Sequence, residues 1–233
     1  TFLYNQGHRR TFFALSGVPG YFVIQSNTMN ISATNSYSIA YDSKRRFASY
    51  WHQIREIISH EPQHVLEVGM GNGFVSRYVK GHGVRLTTVD IDQSLKPDVV
   101  ADVAHLPFPD ASYDVVTAYE VLEHMPYEKT LQGLHELFRV SSQWVIISLP
   151  DATHAFRFAV TIPRVGYIEK VFSPPFVRAK KKPYAKSHEW EIGIQGYPME
   201  KITSDCKKIG LQLLKTYRVY ENPYHRFFVF KKN

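Results

Sequence analysis

The chain has 233 residues, 44% of them hydrophobic, and a single cysteine, Cys206. A chain of this length can bury one substantial core, and one cysteine excludes an intrachain disulfide, so a reducing, cytoplasmic setting is expected. The formal net charge of +7 favours an anionic partner, without choosing between a phosphate-bearing molecule and a nucleic acid.

The stretch "HRRTFFALSGVPGYFVI" near the start of the sequence resembles an export signal, because two arginines precede an apolar run. Two glycines and a proline interrupt that run, and no small-x-small cleavage site follows closely. We therefore interpret residues 1–43 as a cover segment for a domain formed by residues 44–233, and keep the signal peptide as the lesser alternative. No stretch of the sequence predicts a membrane span.

Apolar periodicity predicts alternating helices and strands after residue 43. In chain order these are a helix over 44–60, a strand over 64–69, a helix over 74–83, strands over 84–90, 97–103 and 113–119, a helix over 129–140, a strand over 143–150, a helix over 198–209, and strands over 210–220 and 225–232. This alternation specifies an α/β fold: a Rossmann-like, doubly wound, mostly parallel seven-stranded sheet with helices on both faces. Only "ENPY" separates the last two strands, which predicts a C-terminal antiparallel hairpin at one edge of the sheet.

Residues 151–196 form a long insertion between the strand at 143–150 and the last helix. Insertions of this length are commonly functional, so we expect this one to lie on the substrate side. Its run "RAKKKPYAK", at 178–186, holds much of the basic excess. A solvated loop is the simpler interpretation of such a run, and attraction of an anionic acceptor is the functional one.

A glycine series follows the first predicted strand, where "LEVGMGNGF" places Gly69, Gly71 and Gly73 at a strand-to-helix turn. Glycines at such a turn let a ligand approach the backbone. The dinucleotide fingerprint needs its third glycine at position 74, which is Phe74, and no Walker lysine follows. The turn therefore disfavours nicotinamide, flavin and nucleoside triphosphate ligands.

Four motifs in this order resemble those of the class I S-adenosylmethionine-dependent methyltransferases, over roughly residues 44–233. They are "LEVGMGNG", "TVD", "ADVAHLPFPDASYDVV" and "YEVLEHMP". The resemblance implies that S-adenosyl-L-methionine is the cofactor, that Asp90 holds its ribose hydroxyls, and that Asp102 meets its adenine amino group beside the Val103 amide. The alternative for these two aspartates is that they cap helices. The cofactor-binding residues implied in this way are Glu67, Gly69, Gly71, Gly73, Asp90, Asp102, Val103 and Glu120.

The segment "YEVLEHM" crowds two carboxylates and an imidazole directly after a buried strand. If residues 120–124 begin a helical turn, Glu120, Glu123 and His124 can all face one point. Such a ligand set suits Mg²⁺, Mn²⁺, Fe²⁺ or Zn²⁺. A further ligand would come from elsewhere in the chain, and His188 in "SHEWEIG" is the candidate. In the same segment Trp190 either lines the pocket or packs in the core.

The pattern E-x-x-E-H, followed much later by a histidine, is similar to the metal site of the small-RNA 3′-terminal 2′-O-methyltransferases and to the ubiquinone-pathway O-methyltransferases. The resemblance implies that Glu120, Glu123, His124 and His188 hold a divalent metal beside an acceptor diol, with the two histidines as catalytic residues. The alternative is that the glutamates are acids favoured by a helix dipole and that His124 is a general base without a metal.

The sequence therefore predicts an O-methyltransferase acting on a hydroxyl of a sugar, a nucleoside or an aromatic diol. The alternatives are metal-free methylation of a small molecule or glycan, and a cofactor-binding or RNA-binding module without turnover. A small-molecule or glycan-like acceptor is favoured over RNA, because no recognisable RNA-binding domain is present and the basic run is short.

Overall fold

The computed structural model describes residue 37 and residues 41–164, 166–174 and 181–232. Four α-helices lie in this part of the chain: α1 Lys44–Ile58, α2 Phe74–Gly81, α3 Tyr127–Val140 and α4 Met199–Ile209. The strands are β1 His64–Val68, β2 Arg85–Asp90, β3 Val99–Val100, β4 Tyr113–Tyr119, β5 Ser141–Pro150, β6 Phe156–Ile162, β7 Gly166–Phe172, β8 Leu211–Arg218 and β9 His225–Lys232.

Seven strands form one sheet in the order β3-β2-β1-β4-β5-β9-β8. The first five strands of this order pair in parallel, and β9 pairs antiparallel with both β5 and β8. The predicted fold class is confirmed, including the C-terminal hairpin at the edge. The strand expected over 97–103 shrinks to two residues. One reason is that the Asp98 carboxylate accepts hydrogen bonds from the backbone and hydroxyl of Thr88, where a longer β3 would have paired.

Side chains alternate between the two faces of the sheet, as the pleat requires. On β4, Val115 and Tyr119 pack with the apolar faces of α1 and α2, whereas Val116 and Ala118 pack with α3 and α4. Because both faces are covered by helices, the strands read in the sequence as nearly continuous apolar runs.

The strand order reverses at β1, whose neighbours are β2 on one side and β4 on the other. In open α/β sheets the crevice at such a switch point, beyond the carboxyl ends of the strands, is where ligands bind. The glycine turn follows β1, Asp90 ends β2, and the "EVLEH" segment follows β4. Within the described ranges no helix is long and apolar enough to cross a membrane.

The insertion holds a separate two-stranded sheet of β6 and β7. It then returns to the main sheet, where Asp151 and Ile192 form a bridge. Arg178 and Lys180 of the basic run lie outside the described residues, whereas Lys181 and Lys182 are exposed. Of the segment interpreted as a cover, residue 37 and residues 41–43 are described.

Candidate active site

The turn after β1 depends on glycine for its backbone and for its packing. Gly69, Gly71 and Gly73 have φ values of 78°, 54° and 68°, all in the left-handed region that disfavours other residues. A Cβ atom on Gly69 would also lie 2.2 Å from Cγ2 of Val121. The turn is therefore packed directly against the segment that follows β4.

Gly69→Ala is expected to destabilise the fold by about 2–4 kcal/mol, because the methyl group adds both backbone strain and overlap with Val121. Adding Val121→Ala to this variant removes the overlap and should restore part of the lost stability. Gly81→Ala is the control, since nothing lies within 4 Å of a Cβ there. Urea unfolding gives the free energy of unfolding of the wild type, Gly69→Ala, Gly69→Ala/Val121→Ala and Gly81→Ala. Equal stability of Gly69→Ala and Gly81→Ala would contradict this packing.

A cavity of about 370 Å³ opens at the switch point, within the size range of small-molecule sites. It joins the glycine turn to the ends of β2 and β4, and residues near α1 complete its wall. Its lining includes Tyr37, Tyr41, Arg46, Glu67, Gly69, Gly71, Asp90, Asp102, Val103, Glu120, His124 and Lys129.

Glu67 lies on β1 beneath this cavity and is 3% exposed. Burial raises the pKa of its carboxyl group to about 8, although Ser76 and Lys80 act in the opposite direction. Among the described residues, its Oε2 has no hydrogen-bond partner. A carboxyl group left in this state fits a ligand that brings a hydrogen-bond donor.

The Glu67 carboxyl makes stability depend on pH in the ligand-free protein. Its pKa is higher in the folded state than in the unfolded state, so its contribution is fully present below about pH 4.5 and falls as pH rises towards about 8. Glu67→Gln should remove this decrease in the free energy of unfolding, which is on the order of a few kcal/mol. Urea unfolding between about pH 5 and 8 measures it. The exposed Glu200→Gln should keep the wild-type slope, and parallel curves for wild type and Glu67→Gln would contradict the assignment.

Asp90 and Asp102 both line the cavity. The Asp90 carboxylate accepts a hydrogen bond from the Asp92 backbone at 3.0 Å. The Asp102 carboxylate accepts one from the Ala104 backbone and pairs with the Lys129 ammonium at 2.5 Å. Burial raises the pKa of Asp102, but the Lys129 and Ala104 bonds outweigh it and lower the pKa overall. Both aspartates thus also cap turns, and lone pairs remain for a ligand.

The expected helical turn over residues 120–124 is wrong in part. Only Leu122–His124 form a short 3₁₀ helix. Glu120 precedes it with φ of 54°, because its backbone N–H still bonds the Ser148 carbonyl of the neighbouring strand. A residue held by the sheet ladder cannot also start a helix. Such strain in a non-glycine residue is typical of functional sites.

Three ligand-type side chains converge beyond this turn. One atom each from Glu123, His124 and His188 lie within 4.8 Å of one another. Oε1 of Glu123 is 4.0 Å from Nε2 of His124 and 3.9 Å from Nε2 of His188. Glu123 is fully buried, and neither of its carboxyl oxygens has a hydrogen-bond partner among the described residues. Burial, with a further contribution from Glu120, raises its pKa well above the usual value.

Hydrogen bonds at the other ring nitrogen fix the tautomer of both histidines. Nδ1 of His124 lies 3.0 Å from the Ser187 carbonyl, which can only accept, so Nδ1 carries the proton. Nδ1 of His188 lies 2.9 Å from the Glu191 carboxylate, which also accepts from the Tyr224 hydroxyl at 2.5 Å. In the neutral form of each ring, Nε2 therefore has the lone pair, and it faces Glu123. Support of this kind is typical of metal-ligating histidines.

Trp190 belongs to the core rather than to the cavity lining, since it is 1% exposed. Its indole N–H lies 3.2 Å from the Leu122 carbonyl and 3.1 Å from the Thr130 hydroxyl. The Glu189 backbone N–H binds the Glu123 carbonyl at 2.8 Å. These contacts hold the "SHEWE" segment against the 3₁₀ helix and so bring His188 to Glu123.

Glu120 stands beside the three converging ligands rather than among them. Its Oε2 is 3.6 Å from Nε2 of His225, and its Oε1 is buried without a partner among the described residues. Burial raises its pKa to about 7, although the nearby Ser148 side chain acts in the opposite direction. Sequence reasoning did not identify His225, Lys129 or Glu191 as residues of the site. Of the three, only Glu191 has a recognisable sequence pattern, because it follows His188 by three positions.

Comparison with known families agrees with this geometry. Residues 66–146 match the family model described as a methyltransferase domain. The matched residues make up about a third of the chain. The match runs from β1 into β5, so it contains the glycine turn, both aspartates and the "EVLEH" segment.

Two curated relatives align with parts of the chain. A probable S-adenosylmethionine-dependent methyltransferase of Mycolicibacterium smegmatis is 31% identical over 108 residues, which is 40% of this chain and 41% of the relative. The 27-O-demethylrifamycin SV methyltransferase of Amycolatopsis mediterranei is 38% identical over 79 residues, 27% of this chain and 29% of the relative. The chain thus spans less than half the length of the curated relatives it matches.

Solved structures share the fold of this chain. The 1,6-didemethyltoxoflavin-N1-methyltransferase of Burkholderia thailandensis, whose structure holds its substrate and S-adenosylhomocysteine, superposes with a TM-score of 0.54 at 14% identity. The match covers 84% of this chain and 81% of that one. At this identity the likeness establishes the fold alone.

Proposed function

We propose that this chain is an S-adenosylmethionine-dependent methyltransferase that transfers the methyl group to a hydroxyl oxygen. One observation carries the proposal: a single cavity joins the glycine turn, Asp90 and Asp102 to Glu120 and His124. The residues suited to a sulfonium nucleoside and those suited to activating an acceptor therefore share one volume.

The cofactor side of the cavity offers acceptors where S-adenosylmethionine carries donors. Asp90 would hold the ribose hydroxyls, Asp102 the adenine amino group beside the Val103 amide, and Glu67 a further donor. Gly71 leaves the turn open, since a Cβ there would find no atom nearer than 3.6 Å, in the Tyr37 ring. The name of the Mycolicibacterium relative, a probable S-adenosylmethionine-dependent methyltransferase, supports the same cofactor.

The group of Glu123, His124 and His188, of which His124 lines the cavity, fits a divalent metal. A fully buried carboxylate without a donor faces two imidazole nitrogens that keep their lone pairs. Two ligand atoms bonded to one ion at about 2.1 Å can be at most about 4.2 Å apart. The distances from Glu123 to His124 and His188 lie just within this limit, and all three atoms lie within 4.8 Å of one another, so binding an ion would draw the three side chains closer together. Glu123, His124 and His188 would hold the ion, with Glu120 beside them as a fourth candidate. Oxygen and nitrogen ligands suit Mg²⁺, Mn²⁺, Fe²⁺ or Zn²⁺.

Transfer to an alcohol requires that a bond form between the acceptor oxygen and the methyl carbon while the carbon–sulfur bond breaks. The electron pair of that bond stays on sulfur, which yields S-adenosylhomocysteine, and the hydroxyl proton leaves the oxygen. A divalent ion, when bound, lowers the cost of losing this proton. The domain itself supplies the cofactor turn, the orientation of acceptor and cofactor, and basic groups at the cavity wall.

A metal-free version of the same reaction is favoured by one feature of His124. This histidine lines the cavity and, in the tautomer set by Ser187, presents an unprotonated Nε2 that can take the acceptor proton. His188, oriented by Glu191, would then assist it. Chelation distinguishes the two versions.

For the acceptor, we propose a small molecule or glycan with neighbouring hydroxyls. The name of the Amycolatopsis relative denotes methylation at an oxygen, which supports this class. An anionic acceptor agrees with the formal net charge of +7. RNA, or a non-catalytic cofactor-binding role, is the alternative that an acceptor screen would reveal.

Glu191→Gln is expected to weaken metal binding about tenfold to a hundredfold, because an amide holds the His188 ring less firmly than a carboxylate. The amide oxygen can still accept from the Tyr184 and Ala185 backbones, so the fold should persist. Calorimetric titration with Mn²⁺ measures the effect. Glu189→Gln, an exposed neighbour, is the control, and equal affinity in both variants would contradict the positioning role.

The function is tested by incubating the purified chain with S-adenosylmethionine, Mn²⁺ and acceptors that differ in one group: a vicinal diol, its monomethyl ether, an amine and a thiol. Mass spectrometry of the products is expected to show methylation of the diol first. Binding of S-adenosylmethionine without transfer to any acceptor would favour the non-catalytic alternative.

A further inference from the structure

The β6–β7 hairpin presents an apolar face that no described residue covers. By the register of the pair, Phe156, Phe158, Ile162 and Phe172 share this face, together with Val160 and Ile168. The four named first are 52%, 54%, 38% and 56% exposed. The rings of Phe156 and Phe172 stack with centroids 5.5 Å apart. A continuous exposed patch of this kind marks an interaction site rather than an ordinary surface.

The opposite face of the hairpin turns towards the body of the domain. The Arg157 guanidinium lies 5.6 Å from the centre of the Tyr220 ring, and Glu169 and Val171 line a cleft shared with α1. Arg218 anchors the base by donating to Thr153 and Ser173, which flank the two strands. The phenylalanine face is thus held outward.

The net positive charge of the chain is concentrated in the same part of the sequence. Residues 156–186 contain eight lysines and arginines and one glutamate, a formal charge of +7. This equals the charge of the whole chain, so the remaining twenty basic and twenty acidic residues balance. Among the described residues, Arg164, Lys170, Lys181, Lys182 and Lys186 supply this charge on or after the hairpin, and all five are exposed.

We infer that the hairpin is a peripheral membrane anchor, which inserts its phenylalanine face into the headgroup region of an anionic bilayer while the lysines bind lipid phosphates. Apolar side chains that penetrate the boundary and basic residues that remain at the surface contribute together to such binding. An aliphatic and phenylalanine face with Lys170 as its one charged member suits acyl chains better than bases, which need polar groups for recognition.

The full chain is tested by sedimentation with vesicles of phosphatidylcholine alone and of an equal mixture with phosphatidylglycerol. Binding is expected on the anionic vesicles. Phe158→Ser/Phe172→Ser should weaken it by about tenfold or more, and Lys181→Gln/Lys182→Gln/Lys186→Gln by about a hundredfold. Matched controls are Tyr78→Ser/Leu214→Ser, whose side chains are 45% and 52% exposed, and Lys207→Gln/Lys208→Gln/Lys231→Gln.

Insertion is separated from adsorption by fluorescence. The tryptophan emission of Phe158→Trp should shift to the blue on anionic vesicles and be quenched by brominated lipids. The emission of Leu214→Trp should show neither change. Equal binding by the serine pair and wild type, with no quenching of Phe158→Trp, would overturn the inference. Failure of the wild-type chain to sediment with either kind of vesicle would also overturn it. In that case, loss of RNA binding in the lysine variant would indicate an RNA site, and loss of self-association in the phenylalanine variant would indicate an interface between copies of the chain.

Discussion

Glu123→Ala is expected to lower the rate of methyl transfer by about a hundredfold or more, even with added Mn²⁺. The carboxylate is the buried member of the three converging ligands, and its loss leaves His124 and His188 alone. His188→Ala should have a similar effect, and the double variant should be little worse than either single one, because residues that act as a unit are not additive. Initial rates at saturating S-adenosylmethionine measure this.

The matched control is Glu128→Ala, an exposed acid on α3 that should transfer at the wild-type rate. Removing an unpaired buried carboxylate should not unfold the protein, so Glu123→Ala should still bind S-adenosylhomocysteine. Calorimetry with Mn²⁺ adds a readout that does not depend on turnover. Undiminished Mn²⁺ affinity in Glu123→Ala would remove the metal site from the account and leave His124 as a general base.

Asp90→Ala and Gly71→Val are each expected to remove most of the stabilisation by S-adenosylmethionine. At a hundredfold excess over the dissociation constant, a ligand that binds only the folded state adds roughly 2.7 kcal/mol. Asp90→Ala removes the proposed acceptor for the ribose hydroxyls, and in Gly71→Val the valine side chain enters the cavity that Gly71 lines. Thermal unfolding with and without ligand measures the increment itself, which separates lost binding from lost stability.

Gly81→Val is the control for Gly71→Val, because Gly81 lies at the far end of α2, away from the cavity lining. It should keep the full increment even if its own melting temperature changes. An unchanged increment in both Asp90→Ala and Gly71→Val would show that the cofactor binds elsewhere.

The fold was predictable because local apolar periodicity agreed with the final topology. A run such as "YDVVTAY" is apolar on both faces, and helices cover both faces of β4. The glycine turn was predictable for the same reason, since its positive φ values are a local backbone requirement. Strand ends were less predictable: the Asp98 side chain bonds Thr88 across the sheet and leaves β3 with two residues.

Part of the site was beyond sequence reasoning because it depends on contacts between distant segments. The pairing of Asp102 with Lys129 and the approach of His225 to Glu120 follow only from the packing of α3 and β9 around the switch point. The left-handed backbone of Glu120 follows from its bond to Ser148. A helical wheel drawn over 120–124 groups Glu120 with Glu123 and His124, whereas the geometry brings Glu123, His124 and His188 within 4.8 Å of one another and places Glu120 beside them.

The central claim is tested most directly by following the methyl group itself. The chain is incubated with S-adenosylmethionine labelled with carbon-13 in the methyl group, a vicinal diol acceptor and Mn²⁺, and NMR of the product identifies the atom that carries the label. The account predicts label on oxygen, with transfer falling to background after chelation and returning when Mn²⁺ is restored. Label on nitrogen or sulfur, or transfer at an unchanged rate in fully chelated protein, would contradict it.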